Sequence, residues 1–238
     1  MVAVDDVSID APVGRIVSLV GPNGAGKTTL LGVASGQLQP TNGEITLAGA
    51  PLSGAPHHFA AAGVSRTFQI PRFMPAQTVV DNVRLGATLR TGHHLLTDLF
   101  GGARARRRAI ECDRLARSAL GRVGLDAAGD KPAEELSYGQ IRLMEIARAL
   151  AAGPRIILLD EPAAGLNEDE TTALGQLLVD LVSDEDVGVV LVEHHLGLVT
   201  GISDALYVLN AGALIASGDP AEVVADPAVL EAYTGEPA

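Results

Sequence analysis

A chain of 238 residues that is 47% hydrophobic but only 3% aromatic, with no Trp, is long enough for one large domain or a core domain with an inserted subdomain. Its interior must be packed from Ala, Val, Leu and Ile, which excludes disorder as the main state. The net charge of −12 is uneven: all 17 Lys and Arg lie at or before Arg155, whereas residues 156–238 carry 16 Asp and Glu and no cation, which argues against a nucleic-acid-binding C-terminal half.

Met1–Asp10 carries three Asp and no Lys or Arg, so it lacks the positive start of a secretory signal and predicts a cytoplasmic chain. Apolar, β-branched runs at Ile16–Val20, Ile156–Asp160, Val187–Val192 and Ala205–Leu209 alternate with helical patterns, which predicts an α/β fold around a largely parallel sheet. None approaches the roughly 18 residues that cross a bilayer. Gly43–Gly49 reads as a short strand. Val79–Leu89 and Arg104–Val123 read as helices, the second from Ile110, Leu115, Ala119 and Val123 near the helical period. A third helix, Tyr138–Ala152, carries Leu143, Met144, Ala147, Leu150 and Ala151 on one face and stops at Gly153-Pro154. Residues 75–150 are therefore expected to form a helical insertion, and 1–74 with 151–238 the core.

Other features read as structural. The Arg104, Arg106, Arg107 and Arg108 cluster, beside Glu111, Asp113, Arg114 and Arg117, reads as a solvated helix face. Cys112 stands alone and makes neither an internal disulfide nor a cysteine metal cluster. His57-His58 and His93-His94 fall in loop-like segments, and adjacent side chains share no helix or strand face on which to hold a metal.

The chemistry starts where strand Ile16–Val20 runs into Gly21-Pro-Asn23-Gly24-Ala-Gly26-Lys27-Thr28. This G-x-x-x-x-G-K-[ST] spacing, between a buried strand and a helix beginning near Thr28, lets main-chain N–H groups converge on phosphate oxygens at a positive helix end. Lys27 reaches the β- and γ-phosphates, and the Thr28 hydroxyl is offered to Mg²⁺. As a plain turn the segment would leave Lys27 at a helix start, where a cation is disfavoured. A second site follows from Ile156-Ile-Leu-Leu-Asp160-Glu161, which ends an apolar strand in two carboxylates. Asp160 can hold Mg²⁺ through water, and Glu161 can orient or deprotonate the water attacking a γ-phosphate. Leu136-Ser137-Tyr138-Gly139-Gln140 opens the third helix with Ser137 as its N-cap.

With these motifs in this order the sequence resembles the ATPase subunits of ABC transporters. L-S-x-G-Q matches the signature that binds the γ-phosphate held by the opposite subunit of a dimer. Gln69, in Arg66-Thr67-Phe68-Gln69, matches the Q-loop, and His194, after the strand ending at Glu193, matches the switch histidine. Asp160-Glu-Pro-Ala-Ala-Gly-Leu-Asn167, Val192-Glu193-His194-His195, Gly201-Ile-Ser-Asp204 and the tail from Asp226-Pro227 to Tyr233 are similar to the branched-chain amino acid importer ATPases of the A-A-G-L-N type. The resemblance covers essentially the whole chain and implies the ABC ATPase fold: a P-loop NTPase core with a mostly parallel sheet, a small antiparallel β part and an inserted helical subdomain.

It also implies a nucleotide sandwich. Gly21, Asn23, Gly24, Gly26, Lys27, Thr28 and Thr29 hold the phosphates of ATP, and Thr28, Gln69 and Asp160 surround Mg²⁺. Ser137, Gly139 and Gln140 of a second copy or a paralogue complete the cage. Glu161 is the general base, and His194 holds the γ-phosphate and water in register. The implied partners are two transmembrane permease subunits, a second ATPase subunit and an extracytoplasmic solute-binding protein, with no nucleic acid. The implied location is the cytoplasmic face of the membrane.

The pattern departs from the family in two places. Members carry an aromatic residue before the phosphate loop that stacks on adenine, whereas the first aromatic here is Phe59 and the resemblance sets the missing ring upstream of Met1. A base–aromatic stack is worth about 1–3 kcal/mol, so ATP affinity is expected to be weakened about 5- to 150-fold, with phosphate contacts still carrying binding. Gly165-Leu166-Asn167 also lacks the acidic last residue of the commoner S-A-L-D loop, a form the branched-chain subfamily shares.

Three other readings compete. An ABC ATPase importing urea or an amide fits the same residues, because an ATPase subunit does not touch the solute. A soluble ABC ATPase of DNA repair would need long coiled coils between Lys27 and Ser137, yet only 109 residues separate them, without sustained heptads; a translation member would need two nucleotide domains in one chain. A scaffold that binds nucleotide without hydrolysis is opposed by Glu161 and His194.

Overall fold

The structure is a computed structural model that describes residues 2–91, 102–184 and 187–234. Two compact units emerge, one running up to Arg66 and resuming at Arg155, the other spanning Thr67–Pro154. The second takes in 67–74, with Gln69, which the expected division had assigned to the core.

In the first unit, buried apolar strands line up as a six-stranded sheet. They are β1 (Ile16–Val20), β4 (Val64–Arg66), β5 (Ile156–Asp160), β6 (Gly188–Val192), β7 (Ala205–Asn210) and β8 (Ala213–Gly218), in the order β4-β5-β6-β1-β7-β8. All neighbours are parallel except β7 and β8. β1, β5 and β6 are buried at every position, as strands covered on both faces must be. Leu19, Leu158, Val190 and Val192 pack with Leu31 of α1 (Lys27–Ala34) and Phe59 of α2 (Pro56–Ala62) into the main core cluster. Register then decides where function can sit. Val192 pairs with both Leu19 and Asp160, so the loops leaving β1, β5 and β6 emerge level at one sheet edge, the carboxyl ends where such sheets hold ligands.

The patterns that break at turns explain the differences from expectation. The strand expected over Gly43–Gly49 shrinks to β2 (Thr46–Leu47), because Ala48 and Gly49 both adopt positive φ and fold the chain back onto β3 (Ala50–Pro51). Ala211 and Gly212 do the same between β7 and β8, a pairing the sequence did not signal. His57 and His58 belong to α2 rather than to a loop; His93 and His94 lie outside the described residues.

The second unit holds α3 (Val79–Thr91), α4 (Ala103–Arg122) and α5 (Tyr138–Ala151). A Cβ on Gly86 would lie 1.9 Å from the Arg148 carbonyl oxygen, so α3 and α5 meet backbone to backbone. α4 buries Cys112, Leu115, Ala116, Ala119 and Leu120, while Ile110 is 63% exposed and corrects the expected stripe. Five residues carry Ile110 about 140° round the helix from Leu115. The Arg104–Arg108 segment starts α4, with Arg106 and Arg107 exposed. The first unit continues with α6 (Glu168–Asp184), α7 (Leu196–Ile202), α8 (Pro220–Val224) and α9 (Pro227–Thr234). Among the described residues no helix is long and apolar enough to cross a membrane.

Candidate functional site

The Gly21–Gly26 loop is shaped by what a side chain could not do there. A Cβ on Gly21, at φ +145°, would fall 2.0 Å from the carbonyl oxygen of Leu209 on β7, so only glycine lets the chain leave β1 at this angle. Gly26, in the left-handed region at φ 104°, caps α1 with no side-chain hydrogen bond, and the first turn holds no acid. The first-turn N–H groups of α1 have no partner within the helix, the arrangement that suits an anion. Asn23, Gly24 and Thr28 are exposed, and a Cβ on Gly24 would meet nothing within 4 Å. Lys27, 6% exposed, curls back and donates from Nζ to the carbonyls of Gly21 (2.7 Å) and Pro22 (2.9 Å). Burial pulls its ammonium below the ordinary lysine range, while the carboxylates of Glu161 and Asp160 push it back up. The phosphate loop and the acid pair ending β5 therefore share one electrostatic site.

Asp160, 3% exposed, closes β5, and its Oδ2 accepts from Arg66 Nη2 at 2.9 Å. Arg66 ends β4, one strand away, and also donates to Ser35 Oγ (3.2 Å) and Gln37 Oε1 (3.1 Å). Glu161 follows at φ 49°, a left-handed conformation costing a non-glycine residue about 1–3 kcal/mol, held in place by its N–H bond to the Val192 carbonyl (2.9 Å). Its Oε1 meets His194 Nε2 at 2.9 Å, both side chains partly exposed. With a proton on Nε2 the imidazole donates to the carboxylate, which orients both groups toward solvent-side chemistry. Glu161, Ala163, Leu166, Asn167, Glu193 and His194 line an open depression of about 470 Å³. Asn167 N–H donates to Glu170 Oε2 (3.0 Å) and Asn167 Oδ1 accepts from Glu170 N–H (2.9 Å), a reciprocal cap on α6. His195 Nδ1 accepts from Leu198 N–H at 3.0 Å and caps α7.

The remaining expected residues lie in the second unit. Ser137 is the N-cap of α5: its Oγ accepts from Gln140 N–H (3.3 Å) and its own N–H donates to Gln140 Oε1 (3.0 Å). Ser137 and Gln140 are exposed and Gly139 half-buried. Gln69 is exposed on the segment before α3, and its carbonyl accepts from Arg142 Nη2 at 2.6 Å. Arg142 also donates to the Phe68 carbonyl (3.0 Å) and Tyr138 Oη (2.8 Å), and Glu145 accepts from Arg72 N–H (3.2 Å). The signature helix thus grips the main chain on both sides of Gln69.

Sequence reasoning missed four residues in these arrangements: Arg66, Arg142, Glu145 and Glu193. The visible signal for Arg142 and Glu145 was a charged pair three residues apart inside an apolar helix.

Residues 4–164 match the family described as ABC transporter, and residues 213–238 match the family described as branched-chain amino acid ATP-binding cassette transporter. The chain is 41% identical over 239 residues to the high-affinity branched-chain amino acid transport ATP-binding protein LivG of Salmonella typhimurium, covering 99% of this chain and 93% of the relative. Identity to BraF of Pseudomonas aeruginosa, a protein of the same description, is also 41%, over 237 residues, with the same coverage. A crystal structure of the ADP conformation of an ATP-binding cassette of an ABC transporter superposes with a TM-score of 0.84 at 32% identity, covering 98% of this chain and 93% of that one.

Proposed function

The chain belongs to the ATP-binding subunits of ABC transporters, in the branched-chain amino acid branch, and from that premise we propose that it hydrolyses ATP to power uptake of leucine, isoleucine and valine. One observation carries the mechanism: the loops after β1, β5 and β6 leave the sheet level with one another and bring Lys27, Asp160, Glu161 and His194 to a single edge.

In this reading the glycine loop and the first turn of α1 bind the phosphates through main-chain N–H groups, with the Thr28 and Thr29 hydroxyls beside them. Lys27 exchanges the Gly21 and Pro22 carbonyls for phosphate oxygens, a small movement for a long side chain already at the loop. Mg²⁺ fits the donors available. The Thr28 hydroxyl and the Asp160 carboxylate are hard oxygens of one unit, and such an ion needs few protein ligands when phosphate supplies others; the Gln69 amide is the third donor that the family resemblance implies. Bound there, Mg²⁺ would neutralise phosphate charge. Glu161 takes the proton of the attacking water, and His194, whose Nε2 proton rests on the Glu161 carboxylate before nucleotide binds, turns that one donor to hold the γ-phosphate and water in register.

Ser137 and Gly139, on an exposed helix start whose N-cap is already satisfied within its own turn, supply the closing half of the cage to a second subunit. Two permease subunits and an extracytoplasmic solute-binding protein complete the importer, with this chain on the cytoplasmic face.

Glu161→Gln tests the chemistry: ATP turnover should fall at least about 100-fold while ATP-dependent dimerisation, read by size-exclusion chromatography, survives. Turnover at the parent rate would remove Glu161 as the base. Reconstitution with the permeases and binding protein in vesicles tests the solute. Stimulation of ATP turnover by leucine, isoleucine or valine is expected, and stimulation by urea or an amide instead would overturn the assignment.

A further inference from the structure

One buried acid in the first unit is explained by none of the motifs. Glu193 ends the β6 run and is 3% exposed, and among the described residues it pairs with no cation. Its oxygens are instead spent on main chain: Oε1 accepts from Ala163 N–H at 2.7 Å and Oε2 from His194 N–H at 3.1 Å. Burial drives its carboxyl above the usual range, and the N–H groups of Ala163 and His194 oppose that rise. A carboxylate placed here without a counter-charge is costly, and an apolar residue would fill the space at no such cost. What Glu193 does that an apolar residue cannot is tie two loops together. Ala163 stands two residues beyond Glu161 on the loop after β5, and His194 belongs to the loop after β6. The opposing side-chain contact, Glu161 Oε1 to His194 Nε2 at 2.9 Å, spans the same gap.

We propose that Glu193 is a positioning residue: its carboxylate clamps the main chain of both loops and thereby sets the distance between the Glu161 carboxylate and the His194 imidazole. This rests on the reading of Glu161 and His194 as the hydrolytic pair. The neighbouring charged and titratable groups are Glu161 and Glu168 across the gap and His194 and His195 on the same loop. Glu161 adds one main-chain tie of its own, N–H to the Val192 carbonyl at 2.9 Å where the strands end, and Glu193 carries the tie beyond it to Ala163 and His194.

Glu193→Gln is the sharpest probe, since it preserves shape but turns one acceptor into an NH₂ group facing an N–H. Displacing a catalytic group by a fraction of an ångström to an ångström costs up to about 100-fold, so kcat should fall about 10- to 100-fold while KM for ATP moves less than about threefold. Glu193→Asp, which keeps the charge but cannot span both N–H groups, should fall between the two, and it keeps the test readable if the Gln variant unfolds. In a His194→Ala background the Gln substitution should cost less than about twofold further, because a residue acting through His194 has nothing left to position. Amide hydrogen exchange at Ala163 and His194, measured on the whole chain, should accelerate at least about tenfold in the Gln variant. Unchanged exchange, an unchanged kcat, or effects of Glu193→Gln and His194→Ala that multiply would each overturn the clamp. Faster exchange in the Gln variant, with a parent chain that hydrolyses no ATP, would instead uphold the clamp and sink the assigned function.

Discussion

Replacing Arg142 by Met tests whether the signature helix holds the Gln69 segment as described. The guanidinium, 3% exposed, donates to the carbonyls of Phe68 and Gln69 at 3.0 and 2.6 Å and to Tyr138 Oη at 2.8 Å, and it pairs with Glu145 Oε2 at 3.4 Å. Hydrogen bonds from a charged donor are worth about 1.5–3 kcal/mol each, but they do not sum, because the Gln69 residue is exposed and water can replace its lost partner. Removing one member of a buried ion pair costs about 3–5 kcal/mol. Glu145 keeps two partners, Arg148 Nη2 and Arg72 N–H, both at 3.2 Å, which puts the expected loss near the lower end, about 3 kcal/mol. At about 2–4 °C per kcal/mol for a chain of this size, the melting temperature should drop by about 6–12 °C. Thermal unfolding followed by circular dichroism reads the drop, and limited proteolysis should show cleavage appearing at 68–72. Arg148→Met is the internal control: its side chain is 20% exposed, so the loss should be smaller. A melting temperature for Arg142→Met within 2 °C of the parent, or a larger drop for Arg148→Met, would refute the reasoning.

Two further expectations concern backbone and charge. Gly21→Ala combines a Cβ 2.0 Å from the Leu209 carbonyl oxygen with a φ of +145°, and it should cost at least about 3 kcal/mol in urea unfolding, whereas Gly24→Ala, with open space around its Cβ, should cost about 1–2 kcal/mol; equal losses would mean that the loop is not pinned by β7. Burial raises Glu145 above its ordinary 4.5, with Arg148 and Arg142 opposing the rise, so the folded protein binds a proton there more readily than the unfolded chain. Its contribution to stability is therefore present at and below pH 4.5 and is lost as pH rises through the folded value. Asp113 and Asp130 are lowered from 3.8, chiefly by hydrogen bonds from Arg84 and Arg117 respectively; what they contribute is fully present above that value and is lost only at more acid pH, so it does not change over the range tested. The stability difference between parent and Glu145→Gln should accordingly shrink from pH 5 to pH 8 in urea unfolding, and a difference that grows would refute the sign.

The sequence made the strands and the loops that end them legible because both obey strong local rules. A β-branched run ending in Gly21 or in Asp160-Glu161 announces a strand and the loop beyond it, and the G-x-x-x-x-G-K-[ST] spacing admits few other uses. Short pieces failed where a tertiary or turn effect overrode the local signal: β4 has three residues and depends on β5 for its hydrogen bonds, and the hairpins at Ala48-Gly49 and Ala211-Gly212 rest on two alanines taking positive φ, which residue type does not favour. Ile110 departs from the expected stripe because the five-residue gap to Leu115 turns it about 140° round the helix, onto the exposed side.

The anchors were illegible for a different reason. Arg142 and Glu193 direct buried charge at the main chain, at the carbonyls of Phe68 and Gln69 in one case and at the N–H groups of Ala163 and His194 in the other. Every residue supplies a carbonyl and all but proline an N–H, so the partner leaves no mark on residue type; Arg142 shows only Glu145 three residues on, which gives no hint of Phe68 or Gln69, and Glu193 has no complementary cation at a telling spacing. A side chain bonded to main chain also constrains a loop without restricting which side chains that loop displays. The exposed residues that meet nucleotide can then be chosen for chemistry alone, while one buried group holds their backbone. The distance between Glu161 and His194 is thus governed by a residue that never touches substrate, and Lys27 and Asp160, whose roles the motifs announce, cannot reveal it.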